Sequence, residues 1–215
     1  MTGSIVVPMF PLGMPVLPGM AIPLQVFEPR YVRLVRDLLA TDARPLEFGT
    51  VMIERGWEVG GGDQRANVGV MVQMLDVRIA DDGRYHLSAV GTDRIRVQQW
   101  LADDPYPRAE VTAWPDEVDP PDDLSERVGS LRHALDELAA LAREIDHPIA
   151  ARLDELPTAA VPPSNPVALY ELALRAPIGA ADRFKVLAAP DARRRCDVLA
   201  EAIDDAMALL RFGRT

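Results

Sequence analysis

Apolar residues follow two rhythms along this chain, and the change comes near residue 114. Before it, apolar positions form short runs, several alternating with polar ones, the period of a strand with one buried face. The runs are "EFGTVMI" (47–53), "VGVMVQMLDVRI" (68–79), "RYHLSAVG" (84–91), "DRIRVQQW" (93–100) and "RAEVTAW" (108–114). In the fourth, Ile95 and Val97 alternate with Arg94 and Arg96, which places the arginines on the opposite face. Asp81-Asp82-Gly83 between two runs predicts a hairpin turn. Tyr31, Leu34, Val35 and Leu38 share one stripe at helical spacing and predict a single helix over residues 30–40.

The opening stretch "VPMFPLGMPVLPGMAIPLQVFEPRY" (7–31) is apolar, and no charged side chain precedes Glu28. A secretory signal needs a basic leading region, and none of the 23 basic residues precedes Arg30. A spanning helix needs about 20 uninterrupted apolar residues. Pro8, Pro11, Pro15, Pro18 and Pro23 break this stretch, each removing a backbone donor. The expectation is a pair of short buried strands, roughly residues 5–10 and 21–27, joined by a tight turn around Gly13-Met14-Pro15 and Pro18-Gly19. Glu28-Pro29-Arg30 then reads as a helix entrance: a carboxylate suited to the dipole, a proline at the first helical position, and an arginine anchoring the helix.

"WPDEVDPPDDL" (114–124) is proline-rich and acidic, the best boundary in the chain. It divides a β domain (1–115) from a helical part (125–215), with residues 116–124 as linker. Beyond it the period becomes helical. Asp123 and Glu126 form a D-x-x-E start resembling a capping box. Val128, Leu131, Leu135, Leu138, Ala142 and Ile145 then mark a packing seam. Pro148 opens a shorter helix to about residue 156, and Asn165-Pro166 caps another running to Ala176. Two more are expected near 180–188 and 191–212, so the chain closes in a helical bundle.

Length and an apolar content of 48% allow one large or two small globular domains with a real core. Cys196 is the sole cysteine, which excludes an internal disulfide framework and fits a reducing compartment. With no targeting segment visible, a cytoplasmic location is the default expectation, without a membrane anchor. Net charge is −10, of which the first 115 residues contribute −3 and the rest −7. Nucleic-acid binding usually draws on a basic face, and none is visible here.

Catalytic motifs are scarce. A P-loop needs G-x-x-x-x-G-K-[ST], and no Gly-Lys pair occurs. "GWEVGGGD" (56–63) has the first two glycines but then Gly62 and Asp63, and a carboxylate there repels phosphate, so the stretch reads as a flexible loop. Lys185 is the only lysine, and nothing pairs it with a serine as a Ser-Lys dyad requires. His86, His133 and His147 have no zinc-ligand spacing. His133, Asp136 and Glu137 share a helical face that reads as a solvated stripe. Arg193-Arg194-Arg195 and a helix start would lower the pKa of Cys196, yet with no histidine or second cysteine nearby it reads as an unreactive, partly buried thiol. No cofactor or metal site is expected.

Four strings in this order carry a family resemblance: "MFPLGMPVLPGMAIPLQVFEPRYVRLVRDLL" (9–39), "FGTVMI" (48–53), "VGVMVQMLDV" (68–77) and "DGRYHLSAVGTDRIRV" (82–97). The last fits a V-x-G-x-x-R-x-R-V pattern through Val90, Gly91, Arg94, Arg96 and Val97. The ending "RFKVLAAPDARRRCDVLAEAI" (183–203) adds a short helix, a proline break and a long last helix. Together they resemble the N-terminal, substrate-recognition domain of the ATP-dependent Lon protease, and most closely the stand-alone bacterial Lon-N-domain proteins of the peptidase S16 family. The resemblance implies an α+β fold: a PUA-like mixed β pseudo-barrel with one packed helix, followed by a helical bundle. In full-length Lon an AAA+ ATPase and a Ser-Lys peptidase follow this region; neither is expected here.

The function expected first is non-catalytic, ATP-independent binding of polypeptide segments or a protein partner. Met9, Met14, Met20, Phe27, Arg30, Tyr31 and Trp57 are the candidate contributors, since methionine adapts to varied partners and aromatics anchor interfaces. The alternative is a small-molecule-binding protein or enzyme with a pocket where the β and helical parts join, favoured by convergence of Arg30, Arg94 and a carboxylate. RNA binding, by analogy with other PUA-like domains, is disfavoured by the acidic balance.

Overall fold

A computed structural model describes residues 3–55, 64–155 and 161–212. The chain divides into two compact units, Met1–Pro115 and Asp116–Thr215. Among the described residues no helix is long and apolar enough to cross a membrane.

The first unit holds β1 (Ile5–Pro8), β2 (Ala21–Val26), α1 (Pro29–Ala40), β3 (Glu47–Arg55), β4 (Gln64–Ile79), β5 (Tyr85–Trp100) and β6 (Arg108–Ala113). Its strands form one sheet in the order β1-β6-β5-β4-β3, with β2 added to β5. The opening strands do not pair with each other: β1 lies antiparallel to β6, with Val7 opposite Ala109, and β2 antiparallel to β5, with Leu24 opposite Leu87. The reason lies in the segment between them, whose apolar side chains fill the core instead of forming a tight hairpin. Met9 and Leu17 are fully buried and Val16 nearly so. A local turn does form at Leu17-Pro18-Gly19-Met20, where the Met20 amide donates to the Leu17 carbonyl at 3.0 Å and Gly19 takes φ +80°.

The same segment closes the barrel. After β1 it runs parallel to β3, with Met9 bridging to Gly49 and Leu12 to Met52. The Phe10 amide donates to the Gly49 carbonyl at 2.8 Å, Leu12 to Val51 at 3.0 Å, and Ile53 back to Leu12 at 2.8 Å. Parallel closure of an antiparallel sheet makes this a mixed pseudo-barrel. Its core gathers Val7, Met9, Val51, Ile95, Val97 and Val111. Helix α1 begins with Pro29 in its first turn and buries Tyr31, Leu34 and Val35. The Tyr31 ring stacks on Phe10 with centroids 3.9 Å apart, which ties the helix to the closing segment.

The runs at 84–91 and 93–100 are one continuous strand, because Thr92-Asp93 contains neither proline nor glycine to end it. Along β5, Arg94 is buried rather than solvated. The Arg94 and Arg96 guanidiniums lie 4.3 and 4.2 Å from the Trp114 ring centroid, so cation–π attraction offsets part of the cost of burying Arg94.

The second unit holds α2 (Leu124–Glu144), α3 (Ile149–Glu155), α4 (Ala168–Arg175), α5 (Ala180–Ala188) and α6 (Ala192–Phe212). Helices α2 and α6 pack together, and α3, α4 and α5 join them. The α2 seam buries Val128, Leu131, Leu135, Leu138 and Ala142. The capping box does not form. Asp123 makes no side-chain bond to the helix amides, and its carboxylate instead accepts from Arg127 Nε at 2.8 Å. Asn165 is not the helix cap: α4 begins at Ala168 with Val167 at the N-cap, and Asn165 Oδ1 instead accepts from the Val167 amide at 3.0 Å in the turn that leads into the helix.

Candidate functional site

A largely apolar hollow of the first unit lies beside β2. It is a groove of about 420 Å³ running the whole strand, bounded by Phe10, Leu12 and Met14 of the closing segment and by Glu28 and Tyr31 at the helix entrance. Its floor is fixed: Phe10, Leu12, Ile22, Val26 and Tyr31 are buried and tied into the barrel or α1. Its rim is open, with Phe27 54% and Met14 38% exposed, and Met20 half-buried. Phe27 is held out because β2 ends one residue earlier and the Glu28-Pro29 helix entrance follows at once. The Arg84 guanidinium lies 6.0 Å from its ring centroid.

Met14, Met20, Phe27 and Tyr31 thus converge on one groove. Met9 does not, being fully buried in the barrel core, because the residue after β1 turns inward to close the sheet. Arg30 stands beside the groove, its Nε 3.1 Å from Glu28 Oε2 and its guanidinium 4.5 Å over the Tyr31 ring. Trp57 and the glycine-rich stretch 56–63 lie outside the described residues. Arg94 packs on Trp114 and Arg30 on Tyr31, so the two arginines have separate partners. Sequence reasoning missed the buried walls of the groove, Phe10, Leu12, Ile22 and Val26, and the involvement of an entire strand. Apolarity alone marks such residues as core and does not distinguish a groove floor.

The chemistry of the lining is that of a binding surface. Its ionisable members are Glu28, already paired, and the buried Tyr31. A second hollow of about 420 Å³ lies between α2 and α6, lined by Asp123, Glu126, Arg127, Cys196, Asp197 and Asp204 among others. Arg127 spans it, 2.8 Å from Asp123 and 3.6 Å from Asp197. Cys196 is buried, and burial pushes its thiol pKa up despite the lowering influence of Arg127. The three preceding arginines therefore do not activate it. Native protein at neutral pH is expected to react with a thiol-directed reagent at least about a hundredfold more slowly than urea-unfolded protein, as burial and a protonated thiol together require. Equal rates in a timed labelling assay would refute this.

Other polar groups have ordinary partners. Lys185 pairs with Asp182 at 2.8 Å, and that hydrogen bond raises its pKa, favouring the charged form. His133 and Glu137 approach to 3.5 Å on an exposed face, while Asp136 faces Arg175.

Comparison with known proteins decides the family. The family described as the ATP-dependent protease La (LON) substrate-binding domain matches residues 6–205, nearly the whole chain. This chain belongs to that family. Among solved structures, a Lon N-terminal domain protein from Xanthomonas campestris superposes with a TM-score of 0.62 at 27% identity, covering 92% of this chain and 98% of its own. The N-terminal domain of Mycobacterium avium complex Lon protease shares the fold, with a TM-score of 0.63 at 21% identity, over 93% and 98% of the two chains. A Lon protease from Desulfosudis oleivorans is 30% identical over 101 residues, which is 46% of this chain and 12% of that protease. The chain thus spans only a small part of that relative's length. Its family accounts for the fold expected from the sequence, a PUA-like barrel with one packed helix and a helical bundle.

Proposed function

We propose that this protein recognises apolar polypeptide segments in the groove beside β2 and performs no chemistry of its own. The observation that carries the reading is the pairing of a rigid apolar floor with the exposed side chains of Met14 and Phe27 on one rim. A hydrophobic side chain entering the groove meets buried apolar walls, while Met14 adapts to its shape and Phe27 covers it. The family's substrate-binding description supports the same role. The absence of a Gly-Lys pair and the solvated, ion-paired Lys185 support a binding role without nucleotide or peptide hydrolysis by these residues.

Phe27→Ala and Met14→Ala are each expected to weaken binding of a reduced, alkylated, fluorescently labelled polypeptide by about tenfold, the effect of truncating an interface anchor. Both side chains are exposed, so thermal unfolding should not move. Fluorescence anisotropy against the unchanged protein is the measurement. Equal affinity in both variants would place binding elsewhere.

A further inference from the structure

We propose that the groove takes its polypeptide as an added β-strand, hydrogen-bonded to the free edge of β2. The proposal rests on the reading of the groove as the polypeptide site and specifies how a segment is held there. The occupant is an extended stretch, uncharged over about five residues and apolar at every second position, as an added strand requires.

Backbone geometry carries the argument. Among the described residues, β2 pairs with β5 alone. Just before it, the Gly91 amide donates to the Met20 carbonyl at 2.9 Å, which marks that position as a bonded one. Antiparallel strands alternate bonded and non-bonded pairs. Ile22, Leu24 and Val26 therefore turn their amides and carbonyls toward β5, and Ala21, Pro23 and Gln25 turn theirs away. Pro23, which has no amide, falls at an outward position, as the ladder demands. Ala21, Pro23 and Gln25 are exposed, and among the described residues their backbone groups make no bond outside the ladder. The edge thus offers the amides of Ala21 and Gln25 and the carbonyls of all three.

Free edges are usually blunted by charge, by proline or by a covering element. β2 carries no charged side chain, and among the described residues one proline is its only guard. Every residue of β2 also lines the groove, so side chains of an added strand would enter it directly. Charge fits the same occupant. The only carboxylate in the lining is paired with Arg30 at 3.1 Å, so an uncharged segment leaves no buried charge without a partner. A chain of net charge −10 repels an acidic segment.

The test uses a soluble probe, a nine-residue peptide of alternating valine and threonine flanked by lysines, titrated by fluorescence anisotropy. N-methylation of one alternating set of its amides should weaken binding at least about tenfold, because those amides face β2. Methylation of the other set should leave affinity within about twofold. Gln25→Pro, which removes an outward donor and no ladder bond, should weaken the unmethylated peptide about fivefold. The methylation series needs no altered protein, so a variant that misfolds does not decide the matter. Equal effects of both methylated sets, with binding still reduced by Phe27→Ala, would overturn strand addition and leave the groove reading intact. Failure of the unmethylated peptide to bind would overturn both.

Discussion

Asp116→Ala is expected to lower the stability of the helical unit by about 3–5 kcal/mol, the cost of stripping the partner from a buried charge. Arg195 is only 1% exposed, yet it carries a permanent cation into the helical core. Its Nη2 donates to Asp116 Oδ1, and its guanidinium lies 4.8 Å over the Tyr170 ring. Its Nε finds no acceptor among the described residues, so the carboxylate supplies most of the compensation. Without Asp116 the cation keeps its desolvation and loses its counter-charge. Pairing the change with Arg195→Met should recover much of the loss, because an apolar side chain of similar length needs no partner. Urea unfolding followed by circular dichroism gives both values. A loss below about 1 kcal/mol for Asp116→Ala would mean that the pair contributes no more than an exposed one.

Asp116 also shows what local sequence patterns conceal. It sits in the proline-rich acidic stretch that reads as a linker, yet it is tied to α6, and the neighbouring Glu117 amide donates to the Pro190 carbonyl at 3.1 Å. A carboxylate and an arginine 79 positions apart leave no periodic signal. The strands were legible because alternation reports which face is buried, and the helices because their seams repeat every three or four residues. Alternation does not report partners, so the opening strands read as a pair although each binds a different strand. Burial of individual methionines was equally hidden. Met9 and Met14 sit in similar company five positions apart, and only the long-range pairing of residues 9–12 with β3 makes one core and the other rim. The groove was half visible, since Phe27 at the strand-to-helix junction marks its end. The open edge of β2 follows from non-local pairing and could be seen only in the fold.

That long-range closure also sets the second large effect. Gly69→Ala is expected to cost about 3 kcal/mol, the upper part of the range for overpacking a tight core. A Cβ at Gly69 would strike the Thr50 carbonyl oxygen and come within 2.8 Å of Val51 Cγ1. Backbone cannot rotate aside as a side chain does, so β3 or β4 must shift. Thr50 resists the shift because it is buried and its Oγ1 donates to the Phe10 carbonyl at 2.8 Å. Phe10 is in turn stacked on Tyr31, and both line the groove. The strain should therefore reach the binding surface, weakening polypeptide binding even where the variant remains folded. Gly83→Ala supplies the contrast. Gly83 has φ +81° with nothing within 4 Å of an added Cβ, so only the conformational cost of about 1–2 kcal/mol applies. Its binding should be unchanged, because it lies in the β4–β5 turn and outside the groove lining. Urea midpoints and anisotropy titrations on the two variants separate steric closure of the barrel from a simple turn preference. Equal losses of stability with equal binding would show that the contact between β3 and β4 at Gly69 does not hold the groove in shape.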